Sequence, residues 1–108
     1  MILVTGGNGF IGSALVDKLA SDGYPVAVLA RKPEGVRSGA KFIKGDITDP
    51  ESLKGAFNDA DTVIHLAGMI SYSKPREEIM KVNALGTKNV IDECKDVDRF
   101  ILSSSVSV

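Results

Sequence analysis

Thr5-Gly6-Gly7-Asn8-Gly9-Phe10-Ile11-Gly12 follows the apolar run Met1 to Val4 directly and opens a helical pattern. Glycines in that context point to a bound dinucleotide. Gly7, Gly9 and Gly12 satisfy G-x-G-x-x-G, while Gly6, Gly9 and Gly12 give a second register, G-x-x-G-x-x-G. Both serve one physical purpose. A strand must turn sharply into a helix, the backbone must approach a pyrophosphate, and the helix must pack closely on the strand, so side chains are excluded at three points. The amides at the helix start then face the phosphates. Short glycine turns also occur as plain connectors, but strand, glycines and helix stand here in register.

A second set of residues bears on which dinucleotide is bound. An NAD site usually carries an acidic residue at the end of the second strand, about 20 residues past the glycines. This chain has Ala30-Arg31-Lys32. An arginine there makes paired, charge-assisted contacts with a 2′-phosphate and stacks on adenine, so NADP is expected ahead of NAD. A solvated basic strand end is the alternative. Asp46 offers an acceptor for the adenine amino group, and it is equally suited to capping the following turn.

These residues need a scaffold. Val26 to Ala30, Lys41 to Ile43, Thr62 to Leu66 and Phe100 to Leu102 are short apolar runs like the one at the start, and read as buried parallel strands. Phe10, Ile11, Ala14, Leu15, Leu19 and Ala20 recur at helical spacing, and Gly23 stands at the cap position. Asp49 before Pro50 predicts an N-cap and a short helix over about Pro50 to Phe57. Pro75 opens a longer helix to about Cys94, with Ile79, Val82, Leu85, Val90 and Ile91 as its apolar side. Alternation of strand and helix implies a Rossmann-type, doubly wound parallel α/β sheet, incomplete at about five strands in the order 3-2-1-4-5, with the ligand at the switch between strands one and four. Arg31 to Ala40 is too short for the usual crossover helix, so a tight loop built on Pro33, Gly35 and Gly39 is expected.

Composition narrows the class. The 108 residues are 44% hydrophobic and 25% charged, which fits one domain, residues 1–108. With 13 basic and 14 acidic residues interspersed, no nucleic-acid face or membrane-binding patch is indicated. Cys94 is the single cysteine, so no internal disulfide forms, and it is expected to behave as a small hydrophobe. No apolar run reaches the ~18 residues of a membrane span. A cytoplasmic location is the default expectation, and no metal-binding spacing stands out.

Together the blocks TGGNGFIG at 5 to 12, GDITD at 45 to 49, DTVIHLAG at 61 to 68, VNALGTKNV at 82 to 90 and RFILSSSVSV at 99 to 108 resemble the N-terminal part of the extended short-chain dehydrogenases/reductases, the NAD(P)-dependent epimerase/dehydratase family. The resemblance covers the whole chain. It implies that Gly6, Gly9, Phe10, Ile11 and Gly12 line the pyrophosphate, that Asp46 and Ile47 flank the adenine, and that Leu66, Ala67 and Gly68 border the ribose. Asn83 resembles the asparagine that organises the helix beneath the family's active site. Ser105 matches the hydroxyl that binds the substrate oxygen, and Ser103 and Ser104 fall near the nicotinamide. Without the resemblance, three serines at a strand end read as hydrogen-bonding loop residues. His65, within an apolar strand, reads as a satisfied core histidine, and Tyr72 and Lys74 read as loop surface.

One family element is absent. The proton donor is a tyrosine followed four residues later by lysine, whereas Tyr24 and Tyr72 are followed at that spacing by Val28 and Arg76. That pair is expected beyond Val108, so these residues are expected to bind cofactor without turnover. The parent reaction implied is hydride transfer between the nicotinamide and a small-molecule carbinol or ketone, such as a nucleotide sugar, in an epimerase, dehydratase or reductase. The competing reading is a non-catalytic dinucleotide sensor of the atypical short-chain dehydrogenase type. An unpaired fifth-strand edge from Arg99 to Val108 would favour homo-oligomers or association through that edge.

Overall fold

The computed structural model describes residues 1–6, 10–37, 39–66 and 76–102, with the side chains of Phe10, Ile11, Arg76 and Val82 outside the description. Five parallel strands, β1 (Ile2–Thr5), β2 (Val26–Ala30), β3 (Lys41–Lys44), β4 (Thr62–His65) and β5 (Arg99–Leu102), form one sheet in the order β3-β2-β1-β4-β5. This is the expected doubly wound order. Successive side chains of a strand point to opposite faces, and the core divides accordingly. On one face Leu3, Ala27, Leu29 and Val63 meet Leu53, Phe57 and Val90. On the other, Val4, Val26 and Val28 meet Val16 of α1 (Phe10–Ser21). The sheet is thus covered by α1 on one side and by α2 (Pro50–Leu53) and α3 (Arg76–Glu93) on the other. Central strands buried on both faces explain the unbroken apolar runs of β1 and β2. The outer strand β3 carries exposed Lys41 and Lys44, which discourage edge pairing.

Helix ends follow local chemistry. Tyr24 N–H bonds to the Leu19 carbonyl at 3.1 Å and Gly23 N–H to that of Ala20 at 3.1 Å, the paired pattern of a Schellman cap. Gly23 has φ +89° with open space around its Cα, so glycine serves there for backbone conformation alone. Asp49 caps α2, accepting from Glu51 N–H at 3.2 Å, with Pro50 in the first turn. That helix stops at Leu53, short of the expected Phe57. Lys54 is extended and Gly55 has φ +76°, a break that lets Leu53, Phe57 and Ala60 all reach the core. Between β2 and β3 the chain makes turns and no helix among the described residues. Val36 N–H bonds to Pro33 at 3.1 Å, Ala40 N–H to Arg37 at 3.0 Å, and Gly35 sits at φ +82°.

The inward side of α3 matches the periodic apolar one at Val90 and departs from it elsewhere. Leu85 and Ile91 are exposed, and the buried residues are Gly86, Asn89 and Val90, with Val82 outside the described side chains. Polar residues face inward because their partners are there. Asn89 Nδ2 donates to the Ile47 carbonyl at 2.8 Å. Gly86 permits the approach, since a Cβ on it would lie 2.5 Å from Ile47 Cδ1 and 2.8 Å from Cγ1. Gly86→Val is therefore expected to destabilise the fold by ~1–3 kcal/mol despite removing a helical glycine. Equal or higher stability in a urea titration would contradict this packing account.

Candidate functional site

The carboxyl ends of β1, β2, β3 and β4 bring Gly6, Arg31, Asp46 and Leu66 to one edge of the sheet. Hydrogen bonds extend the strand alignment past the ladders, with Leu66 N–H on the Thr5 carbonyl and Gly45 N–H on that of Ala30, both at 3.0 Å. The β1/β4 pair is where the strand order reverses, and open α/β sheets place ligands in the crevice at that point. Gly6 has φ +77°, a conformation that resists any side chain, at the turn leading to α1. Gly12 is buried in the first turn of α1. Strand, left-handed glycine and helix start thus suit close approach by an anionic group.

Beneath this edge lies a buried polar chain. His65 is 1% exposed, its Nδ1 is joined to Thr5 Oγ1 at 2.6 Å, and its Nε2 is joined to Thr87 Oγ1 at 3.0 Å. Its ring also stacks on Phe100, with centroids 6.3 Å apart. Both nitrogens are satisfied, as a core histidine requires. Burial lowers the pKa of the ring, so His65 is neutral and sealed from any substrate. Thr5 and Thr87 were not singled out from the sequence. The signal available was Thr87 one turn after Asn83, on the same face of the helix.

Arg31 and Lys32 are exposed just past β2. Asp46 and Ile47 are half-buried past β3, and Asn83 is half-buried on α3. Asp46 Oδ1 accepts from Thr48 N at 2.9 Å and from Thr48 Oγ1 at 2.7 Å, so its turn-capping role is realised. The backbones of Phe10 and Ile11 form the first turn of α1. Gly9, Ala67, Gly68, Ser103, Ser104 and Ser105 lie outside the described residues, as do Tyr72 and Lys74. Burial and neighbouring Glu93 push the Cys94 thiol up to about 11, which leaves it protonated and inert near neutral pH. Among the described residues no group of side chains is arranged to hold a metal, and no helix is long and apolar enough to cross a membrane.

The described edge can therefore bind and orient an anionic ligand, and its one buried base is committed to structure. The model of the NAD dependent epimerase/dehydratase family matches residues 2–108. The chain is 37% identical over 107 residues to the human sterol-4-alpha-carboxylate 3-dehydrogenase, decarboxylating, covering 97% of this chain and 29% of that protein. It superposes on a Thermotoga maritima UDP-glucose 4-epimerase solved with UDP-glucose at a TM-score of 0.83 and 33% identity, covering 99% of this chain and 41% of that one. A Thermus thermophilus UDP-glucose 4-epimerase in complex with NAD gives a TM-score of 0.76 at 37% identity, covering 86% and 33%. The chain thus spans about a third of the length of these proteins.

The neutral state of His65 has a measurable consequence. In the unfolded chain the ring takes a proton near its ordinary value of 6.5, which the buried ring resists, so this contribution to stability is complete above that pH and declines below it. Asp46 and Asp61 have pKa values lowered from 3.8, and their contributions are lost only at more acid pH. His65 is the one histidine of the chain. The urea midpoint of the wild type should fall between about pH 7.5 and pH 5.5, whereas His65→Gln, less stable by ~1–3 kcal/mol at the higher pH, should lack that slope. Equal slopes would contradict the assignment.

Proposed function

Because the chain belongs to the NAD dependent epimerase/dehydratase family, we propose that its 108 residues form the dinucleotide-binding portion of an NADP(H)-using sugar-nucleotide epimerase, dehydratase or related reductase. The observation that carries this reading is the left-handed Gly6 between β1 and α1 at the point where strand order reverses. Arg31, exposed at the end of β2, supports NADP ahead of NAD. The bound nicotinamide supplies or accepts hydride. The protein's share is to hold it: Gly6, Gly9 and Gly12, with the backbone of Phe10 and Ile11, receive the pyrophosphate, and Arg31 and Lys32 take the 2′-phosphate. Asp46 and Ile47 flank the adenine, while Leu66, Ala67 and Gly68 border the ribose. Asn83 orders the helix below, and Ser103 and Ser104 approach the nicotinamide. Ser105 hydrogen-bonds the substrate oxygen. A nucleotide sugar is the substrate class favoured by the UDP-glucose present in the Thermotoga maritima relative. These residues contain no tyrosine paired with a lysine four positions on, so the chain by itself binds cofactor without turnover. Half-exposed Ile101 and Leu102 on β5 favour association through that strand.

Two outcomes are expected. Titration of the purified chain followed by nicotinamide fluorescence should saturate with NADPH, fail for Gly9→Asp, and weaken at least about tenfold for NADPH but not NADH in Arg31→Asp. Absence of saturation by either nucleotide, or equal loss of both in Arg31→Asp, would refute the site or its phosphate preference respectively. In light scattering, the chain should give species larger than a monomer at micromolar concentration. A monodisperse monomer would refute association through β5.

A further inference from the structure

We propose that Asn89 of α3 is a positioning residue of the dinucleotide site: by holding the Ile47 backbone it places the wall against which adenine binds, and with it the preference for adenine over a smaller base. The inference rests on reading the carboxyl edge as a dinucleotide site, and it gives a role in recognition to a side chain otherwise counted as packing.

The segment after β3 takes its shape from within and its place from α3. Within it, Asp46 Oδ1 accepts from Thr48 N–H at 2.9 Å and from Thr48 Oγ1–H at 2.7 Å, Asp49 N–H donates to the Asp46 carbonyl at 2.9 Å, and Asp46 N–H donates to Ser52 Oγ at 2.9 Å. These bonds are local and would survive a tilt of the whole turn. Asn89 ties the turn to the body of the molecule, since its Nδ2 donates to the Ile47 carbonyl at 2.8 Å across 42 residues of sequence. The Ile47 side chain meets the same helix. It lies so close to Gly86 that a Cβ there would stand 2.5 Å from Cδ1, 2.8 Å from Cγ1 and 3.3 Å from Cβ of Ile47. Ile47 also packs on the core cluster that includes Leu53 and Val90. Backbone and side chain of one residue are thus held by neighbouring positions of one helical turn.

Burial makes the amide informative. Asn89 is 6% exposed, and an apolar side chain of similar size would fill its place without the cost of desolvating an amide. What the amide adds is direction, because a buried hydrogen bond fixes the position of the Ile47 backbone where apolar contact alone would let it slide. That position bears on a ligand. A dinucleotide lies outside the carboxyl ends of the strands with its adenosine ribose at the end of β2, so the base reaches the neighbouring segment after β3, where Ile47 is half-buried. An apolar wall attracts a base only through close contact. Shifting it therefore loses contacts with adenine and leaves those of the pyrophosphate at the β1 turn in place.

Titration with NADH and with reduced nicotinamide cytosine dinucleotide isolates the base, because the two ligands share every other part. The unchanged chain should prefer NADH by at least about tenfold. Asn89→Leu, which removes the donor and keeps the bulk, should cut that preference at least about threefold by weakening NADH, while the cytosine form changes less than about twofold. Gly86→Ala keeps the amide and pushes on Ile47, so it should narrow the preference as well, and it serves if Asn89→Leu does not fold. Thr87→Val costs the same helical turn its bond to His65 rather than to Ile47 and should leave the preference unchanged, whatever it does to either affinity. A preference retained in the Asn89 and Gly86 variants, an equal fall for both dinucleotides, or an equal loss of preference in Thr87→Val would overturn the inference. The unchanged chain separates the levels. Binding of neither dinucleotide refutes the site and the inference with it, whereas equal binding of both refutes the inference alone.

Discussion

An imidazole buried to 1% exposure must satisfy both ring nitrogens, and that requirement organises the centre of this molecule. Register pairs Thr5 directly with His65 across β1 and β4, and the ring's other nitrogen reaches Thr87 on α3. The chain of contacts joins the last residue of β1, the last residue of β4 and the helix that follows. Losing one member would strand a polar group in the core at a cost of about 1–3 kcal/mol. Gly86 is part of the same arrangement, since only without a side chain there can α3 lie against Ile47 closely enough to bring Thr87 and Asn89 to their partners.

The ligand edge inherits its shape from this link. Gly6 follows Thr5 and Leu66 follows His65, so the two segments expected against pyrophosphate and ribose leave from neighbouring, tied strand ends. Around them the energetics divide in the usual way. Apolar burial on both faces of β1 and β2 supplies the cohesion, and hydrogen-bonded turns at the carboxyl edge supply the geometry.

Much of this was legible in the chain. Strand positions, their order, the Asp49 cap, the Gly23 stop and the turns that, among the described residues, connect β2 to β3 follow from apolar runs and from turn residues with a single backbone meaning. Periodicity held at Val90, which is buried, but misled at Leu85 and Ile91, because it reads every apolar residue as inward. The true inner side holds Gly86, Asn89 and Thr87, whose partners on β4 and in the Ile47 segment are distant in sequence. The early end of α2 was hidden for a related reason: a helical pattern through Phe57 continues past Gly55, and only packing shows that the break is what buries Leu53 and Phe57 together. The local geometry of the candidate site was legible where it depends on backbone, as in the left-handed turn at Gly6, and open where it depends on partners, as in the Asp46 turn. Its serines at 103 to 105 lie outside the described residues.

The central claim is that the carboxyl edge around β1 and β4 is the dinucleotide site. Chemical-shift mapping of the isotopically labelled chain during NADPH addition tests it most directly, because it reports location without needing turnover. The account predicts the largest amide shifts at Thr5, Gly6, Gly12, Arg31, Asp46 and Leu66, with residues at the opposite end of the sheet, such as Tyr24, Thr62 and Arg99, nearly unchanged. Shifts concentrated at that opposite end, or spread evenly over the chain, would contradict it.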